Sequence, residues 1–244
     1  MPNRIVLLGT GTCQLQIHRM ASSVLVELEG LRLVYDFGRG IAHRLVELGL
    51  CQDDVEHIVL SHFHPDHLSD LVPYLHAAAW SRIDPRGKDL HLYGPEGLRV
   101  QLMRLLSLFG PTTLCHERFE VHLHEIHGER FELGSRELGF ADLPPAGNHG
   151  LAIPHAGRTF VFTGDSSYHP QEVAFLRGAE LAVVDSGHLE DREILELAAR
   201  TQVPRIVCSH LYRELDENEL NAGARAAGYT GHLIVGRDLA TFEI

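Results

Sequence analysis

The chain has 244 residues, of which 44% are hydrophobic and 22% are charged, and this balance excludes collagen-like, coiled-coil and disordered proteins. Its formal net charge of −12 disfavours general binding to nucleic acid or anionic membranes, because that affinity depends on excess Lys and Arg. No apolar run approaches the ~20 residues that span a bilayer, and the start of the chain through Ile5–Leu8 is too short for a secretory signal. We therefore expect a cytoplasmic protein.

The first half of the chain is predicted to mix strands with helices. Apolar or alternating runs indicate strands, and apolar residues three or four apart indicate helices. The predicted strands are Arg4–Leu8, Ser23–Glu29, Leu31–Tyr35, His57–Leu60 and Leu90–Tyr93. The predicted helices are Gly40–Leu48, Asp66–Trp80 and Gly97–Phe109.

The second half repeats this style. Its predicted strands are Arg118–Leu123, Glu137–Ala141, Leu151–Ile153, Thr159–Thr163, Leu181–Val184 and Arg205–Cys208, with a helix over Glu190–Thr201. No internal repeat and no linker rich in Pro, Gly or Ser divides the chain, which predicts a single domain over residues 1–244. Hairpins combined with strand–helix units predict an α/β protein with sheets covered by helices.

Histidine is unusually abundant, with 18 copies, and it is both the commonest metal ligand and a proton carrier near neutral pH. The four cysteines are scattered without a Cys-x-x-Cys pair, so we interpret them as reduced thiols.

The decisive histidine segment is Ser61-His62-Phe63-His64-Pro65-Asp66-His67, which lies between a predicted buried strand and a predicted helix. His62 and His64 are two residues apart in an extended stretch, so their rings should point to one side. Asp66 and His67 fall in the first turn of the helix that Pro65 favours. Four such side chains within six residues could serve two neighbouring metal ions.

This segment resembles the His-x-His-x-Asp-His signature of the metallo-β-lactamase superfamily. The segments Leu8-Gly9-Thr10-Gly11-Thr12 and Val34-Tyr35-Asp36-Phe37-Gly38 resemble its ribonuclease Z and phosphodiesterase branch. Thr163-Gly164-Asp165 and Ser209-His210 match its later metal-binding motifs. The resemblance covers nearly the whole chain and implies an α/β fold of the four-layer αββα sandwich type.

The later ligands are assigned with the help of this resemblance. Asp165 and His210 each follow a predicted buried strand, and a carboxylate at the position of Asp165 could bridge two cations. The family also has a histidine before the strand pair that ends in Gly-Asp. If Ala156-Gly157 is a two-residue turn, His149 lies opposite Gly164, whereas the competing His155 lies at the far tip. We therefore predict His149 as this ligand.

Two metals would then be held by His62, His64 and His149 on one side and by Asp66, His67 and His210 on the other, with Asp165 shared. Asp66 and His188 are the candidate catalytic residues. Related branches place a histidine near His188 that helps protonate a leaving group, although a loop or helix-capping role is the alternative. Asp36 resembles a residue behind the metal site, where it would orient the histidine loop.

Other histidines receive plainer interpretations. His122 and His124 alternate with Phe119, Val121 and Leu123, so we place them on the outer face of a strand.

The function predicted from these residues is a dinuclear metal-dependent hydrolase, most simply a phosphodiesterase that uses a metal-bridging hydroxide on a small anionic substrate. Zinc suits the ligands best, and manganese or iron would also be accommodated. No Gly/Pro-rich insertion, the tRNA-binding arm of ribonuclease Z, occurs between Leu92 and His149. We therefore expect a small-molecule substrate rather than nucleic acid or a membrane partner, and a homodimer is a further expectation because family members often dimerise.

Four alternatives stay open. They are tRNA processing of the ribonuclease Z kind, hydrolysis of another ester, lactone or thioester, mononuclear iron redox chemistry on the same fold, and serine hydrolysis at Gly164-Asp165-Ser166. The last lacks the Gly-x-Ser-x-Gly motif of a nucleophile elbow.

Overall fold

The structure of the chain is a computed structural model that describes residues 3–244. Residues 1 and 2 of the predicted domain 1–244 lie outside the described residues. The described chain divides into two compact units, one running to His127 and including Asp238–Ile244, the other comprising Gly128–Arg237.

The first unit is a seven-stranded sheet with helices packed on one face. Its strands are β1 (Arg4–Gly9), β2 (Ser23–Leu28), β3 (Leu31–Tyr35), β4 (His57–Val59), β5 (Leu90–Gly94), β6 (Val121–Glu125) and β14 (Thr241–Glu243). Its helices are α1 (Ile41–Glu47), α2 (Pro65–Leu68), α3 (Leu71–Trp80), α4 (Leu98–Phe109) and α5 (Pro111–Leu114), with a short 3-10 turn at Gln52–Asp54.

The strand order in this sheet is β14-β1-β2-β3-β4-β5-β6, and β3 to β6 are parallel. Apolar side chains on one face, such as Val34, Ile58 and Leu92, form a buried core with Leu71 and Leu102 of the helices. The helices cover that face. Because β3 to β6 are parallel, their carboxyl ends lie at the same edge of the sheet, where loops carry polar residues.

The second unit is also built on a seven-stranded sheet, in the order β13-β12-β11-β10-β9-β8-β7. Its strands are β7 (Arg130–Leu133), β8 (Arg136–Leu143), β9 (Asn148–His155), β10 (Arg158–Phe162), β11 (Leu181–Asp185), β12 (Arg205–Ser209) and β13 (His232–Val235). Its helices are α6 (Pro170–Leu176), α7 (Asp191–Thr201) and α8 (Glu217–Ala226). Strands β10 to β13 are parallel, and the helices bury one face of them.

The predicted single helix Asp66–Trp80 is wrong in one respect, because the structure breaks it into α2 and α3. The N–H of Asp70 donates to the carbonyl of Phe37 instead of continuing the helix. Pro73 has no N–H to donate, so it fits the first turn of a new helix but would interrupt a continuous one. The break leaves α2 as a four-residue turn that carries Asp66 and His67.

No disulfide joins cysteines within residues 3–244; Cys208 is buried and the other three cysteines are exposed. None of the helices in the described part of the chain is both long and apolar enough to cross a membrane.

Candidate metal centre

The polar residues of interest lie at the carboxyl ends of parallel strands in both units. In the first unit, Asp36 follows β3, and the segment from Ser61 to His67 follows β4. In the second unit, Asp165 follows β10, Asp185 ends β11, and His210 follows β12. Parallel strands bring such residues to one edge of a sheet, which is where α/β proteins build their sites.

In the first unit, the histidine loop forms a tight group of imidazoles. The ring of His62 lies 4.5 Å from that of His64 and 4.2 Å from that of His67, measured between centroids. His62 and His67 are buried, His64 is exposed, and Asp66 is partly exposed. The side chains that the sequence analysis assigned to this loop are thus neighbours.

Asp36 orients this loop, as predicted. Its Oδ1 accepts from the backbone N–H of Ser61 at 2.7 Å, and its Oδ2 lies 2.8 Å from both the Ser61 hydroxyl and Nδ1 of His67. The Ser61 hydroxyl donates to Asp36, so it accepts from Nδ1 of His62, which is 2.9 Å away. One carboxylate therefore places the protons of both rings on Nδ1 and leaves the Nε2 lone pairs for a metal.

A glycine makes room for this arrangement. A Cβ on Gly38 would lie 1.7 Å from the carbonyl oxygen of Asp66, so no larger residue fits without moving α2. The N–H of Phe37 donates to the carbonyl of His67 at 2.7 Å. The segment after β3 thus packs directly against the backbone of the proposed ligands.

In the second unit, Asp165 is held by a residue that the sequence analysis missed. Asn148 is buried, its Nδ2 donates to the carbonyl of Thr163 at 2.9 Å, and its Oδ1 accepts from the N–H of Asp165 at 3.0 Å. Gly164 adopts a φ of 63°, which lets the chain turn between these two contacts. The carboxamide therefore fixes the backbone that carries Asp165.

Asp165, Asp185, His188 and His210 each offer a ligand atom, and these four atoms all lie within 4.8 Å of one another. Nε2 of His210 is 3.2 Å from Oδ1 of Asp165, and its Nδ1 is 3.5 Å from Oδ1 of Asp185. A Cβ on Gly187 would lie 2.0 Å from the carbonyl oxygen of His210, so a glycine is needed where these loops meet.

His188 and Asp185 form a close pair. Nδ1 of His188 is 2.6 Å from Oδ2 of Asp185, and the ring stacks on that of His210 with centroids 5.2 Å apart. Hydrogen bonding to Asp185 raises the pKa of His188 above its ordinary value. Asp185 also accepts from the N–H groups of Gly187 and His188, which fixes the loop after β11, whereas the residue that caps α7 is Glu190.

The hairpin of β9 and β10 has the predicted register, with Arg158 opposite His155 and Phe162 opposite Leu151. His155 therefore lies at the turn, and His149 lies near the end that leads to Asp165. His149 itself stacks on Phe140, and its Nε2 is 2.7 Å from Oδ1 of Asp142. Its role as a ligand stays a prediction.

His122 and His124 lie on one face of β6 and are partly exposed. Nε2 of His124 is 3.0 Å from Nδ1 of His91, and Nε2 of His122 is 2.9 Å from Asp89. Burial and the neighbouring imidazoles lower the pKa values of His91 and His124. These contacts explain this histidine run within the first sheet.

Ser166 is a poor candidate for a nucleophile. It is completely buried, and its hydroxyl donates to Oε1 of Glu172 at 2.5 Å. A serine nucleophile needs a base that takes its proton and an approach for the substrate. The complete burial of Ser166 leaves no approach for a substrate.

The donor set fits divalent metal ions. Neutral imidazoles and carboxylates are the ligands that zinc prefers, together with manganese and iron. In the second unit, the buried carboxylate of Asp165 and the buried imidazole of His210 lie together, with Asp185 and His188 beside them. In the first unit, the tautomers of His62 and His67 are fixed by Asp36.

Comparison with known proteins gives the family. The family model described as the β-lactamase superfamily domain matches residues 38–211 of this chain. The ribonuclease Z of Pyrococcus horikoshii is 29% identical over 128 residues, which covers 51% of this chain. The match spans 38% of the length of that relative.

Solved structures give the fold. The metallo-β-lactamase fold protein YhfI from Bacillus subtilis superposes with a TM-score of 0.82 at 18% identity, covering 100% of both chains. A diphosphatase of the PhnP family superposes with a TM-score of 0.73 at 18% identity, covering 100% of this chain and 98% of the other. These similarities confirm the predicted α/β class and fold. The chain belongs to the metallo-β-lactamase superfamily and resembles its ribonuclease Z branch.

Proposed function

We propose that the chain is a metal-dependent hydrolase and, more specifically, a dinuclear phosphodiesterase for small anionic substrates. The observation that carries this proposal is that two of the proposed ligands, Asp165 and His210, lie with Oδ1 and Nε2 3.2 Å apart at the ends of parallel strands, and that the candidate general acid His188 stacks on His210. Membership of the superfamily and the similarity to a ribonuclease Z and a diphosphatase support the proposal that the chain is a hydrolase.

The proposed ligands are those predicted from the sequence. His62, His64 and His149 would hold one metal, Asp66, His67 and His210 would hold the other, and Asp165 would be shared. When bound, two divalent ions supply Lewis-acid chemistry and a nucleophile from water near neutral pH.

The remaining steps fall to the side chains of the chain itself. Asp36 holds His62 and His67 in the tautomer that offers Nε2, so these rings need no rearrangement when they bind. Asp185 holds His188 by its Nδ1 and raises its pKa, which favours the protonated ring that can donate to a leaving oxygen. His188 is therefore our candidate for the general acid.

The similarity to ribonuclease Z favours tRNA processing as a second candidate. The net charge of −12 argues against it, because binding a long polyanion depends on neutralising phosphates with Lys and Arg. We therefore place small phosphodiesters first.

The test is metal analysis of the purified protein combined with an activity screen. The substrates are bis(p-nitrophenyl) phosphate, cyclic nucleotides, a lactone, a thioester and a tRNA precursor. We expect zinc, manganese or iron in the protein, turnover of a small phosphodiester, and loss of that turnover on chelation. Turnover of only a lactone or thioester would refute the phosphodiesterase assignment, and activity that survives chelation would refute metal dependence.

Variants sharpen this test. Asp165→Ala should abolish turnover while the chain stays folded, because both sheets have cores that do not depend on metal. His149→Ala should lower metal content, whereas His155→Ala, at the other end of β9, is the matched control and should keep both metal and activity.

A further inference from the structure

A buried carboxyl group lies directly behind the loop that carries Asp165. Glu172 is in the first turn of α6 with its side chain completely buried, and its Oε1 accepts the hydrogen bond from the Ser166 hydroxyl. Ser166 is itself completely buried and follows Asp165 directly. The contact therefore joins α6 to the neighbour of the proposed shared ligand.

Packing alone does not account for a carboxyl group at this position. Burial raises the pKa of Glu172 to about 8, and the charge of Asp185 adds to the rise. Within residues 3–244, Oε2 of Glu172 has no hydrogen-bond partner and no basic side chain pairs with the carboxyl. Burying a polar group without compensating partners is costly. The favourable interaction that this buried carboxyl group makes is its hydrogen bond with Ser166.

That hydrogen bond completes a set of three contacts around Asp165. The N–H of Asp165 is held by Asn148, and the N–H of Ser167 donates to the carbonyl of Pro144 at 2.8 Å. Both contacts come from the segment between β8 and the start of β9. The contact with Glu172 comes from α6, so it fixes the loop from another element.

We propose that Glu172 is a positioning residue that, through its hydrogen bond with Ser166, sets the place of the Asp165 carboxylate and with it the affinity of the protein for divalent metal ions. The inference rests on the proposed function, in which Asp165 is a shared ligand. Residues that do not bind the metal but orient its ligands through hydrogen bonds typically contribute ~10–100-fold to metal affinity.

The test measures zinc affinity by competition with a chromophoric chelator, with zinc as the only metal present. We expect Glu172→Ala and Ser166→Ala each to weaken zinc binding ~10–100-fold. The double variant should bind no more weakly than the weaker single variant, because both changes remove one hydrogen bond. Glu172→Gln should stay within about threefold of the wild type, since its amide oxygen can accept from Ser166.

A matched control separates positioning from a general loss of stability. Asn221 is buried in α8 of the same unit and donates to the carbonyls of Glu217 and Leu233, away from the Asp165 loop. Asn221→Ala should lower Tm and leave zinc affinity unchanged. Equal weakening of zinc binding in Asn221→Ala and Glu172→Ala would overturn the inference, because it would mark a merely structural role.

The outcomes also separate this inference from the proposed function. If the wild type binds no zinc, manganese or iron, both fail. If the wild type binds zinc and the variants of Glu172 and Ser166 bind it equally well, only the positioning role fails. Should Glu172→Ala not fold, Ser166→Ala decides alone, because it removes the same hydrogen bond with a smaller change in volume.

Discussion

Replacing Asp36 with Asn tests how one carboxylate prepares two imidazoles. The side chain is 2% exposed and accepts three hydrogen bonds, from the Ser61 N–H, the Ser61 hydroxyl and Nδ1 of His67. In Asp36→Asn, the oxygen can still serve the Ser61 N–H, and the amide nitrogen must then face the Ser61 hydroxyl and His67. The proton of His67 would have to move to Nε2, the atom that should bind metal.

We therefore expect Asp36→Asn to cost roughly 1–3 kcal/mol of stability and to weaken zinc binding ~10–100-fold. Asp36→Ala leaves three buried donors without an acceptor, which should lower the free energy of unfolding by roughly 3–6 kcal/mol. It should weaken zinc binding about as much as Asp36→Asn does. The assays are urea unfolding in the presence of chelator and zinc competition.

A matched control is available in the same unit. Asp238 accepts hydrogen bonds from Thr10, Met20 and Arg44, so it is bonded as extensively as Asp36 but touches none of the proposed ligands. Asp238→Asn should lose stability and keep its zinc affinity. Wild-type zinc affinity in Asp36→Asn would refute the tautomer argument, and so would an equal loss in Asp238→Asn.

Three further predictions concern single residues. Glu172→Gln should flatten the pH dependence of stability. In the folded wild type the pKa of Glu172 is about 8, against an ordinary 4.5, so the free energy of unfolding should fall by on the order of 4 kcal/mol as pH rises between these values. An equally steep fall in the urea unfolding of Glu172→Gln would contradict this. Arg86→Ala should lose at least about 3 kcal/mol in the same assay, because the completely buried guanidinium donates to four backbone carbonyls and the Tyr74 hydroxyl; a loss below 1 kcal/mol would show that these bonds are replaced by water. His188→Ala should slow phosphodiesters with poor leaving groups ~10²–10⁴-fold more than activated nitrophenyl esters, with metal content unchanged, whereas equal slowing of both would exclude the general-acid role.

The ligand loops could be predicted because short-range patterns determine them. A buried strand followed by polar residues and a proline-initiated turn brings His62, His64, Asp66 and His67 to the carboxyl end of β4. The hairpin register that separates His149 from His155 followed from a two-residue turn and the period of two in strands.

The supporting residues could not be predicted because they act over longer range. Asn148 precedes a candidate ligand, yet its contacts are with Thr163 and Asp165 across the hairpin. Glu172 lies in a short helix that was not predicted at all. The break between α2 and α3 depends likewise on a hydrogen bond from Asp70 to the distant Phe37, which competes with helix continuation.

The most direct test of the central claim is a titration of the metal-free protein with zinc, in which bound metal and hydrolysis of bis(p-nitrophenyl) phosphate are measured on the same samples. Two metal sites that share Asp165 predict that two equivalents of zinc bind per chain and that activity rises mainly as the second equivalent binds. Asp165→Ala should bind less zinc and stay inactive throughout the titration, whereas His155→Ala should follow the wild type. Full activity at one equivalent, or two bound equivalents without phosphodiester hydrolysis, would contradict a dinuclear phosphodiesterase.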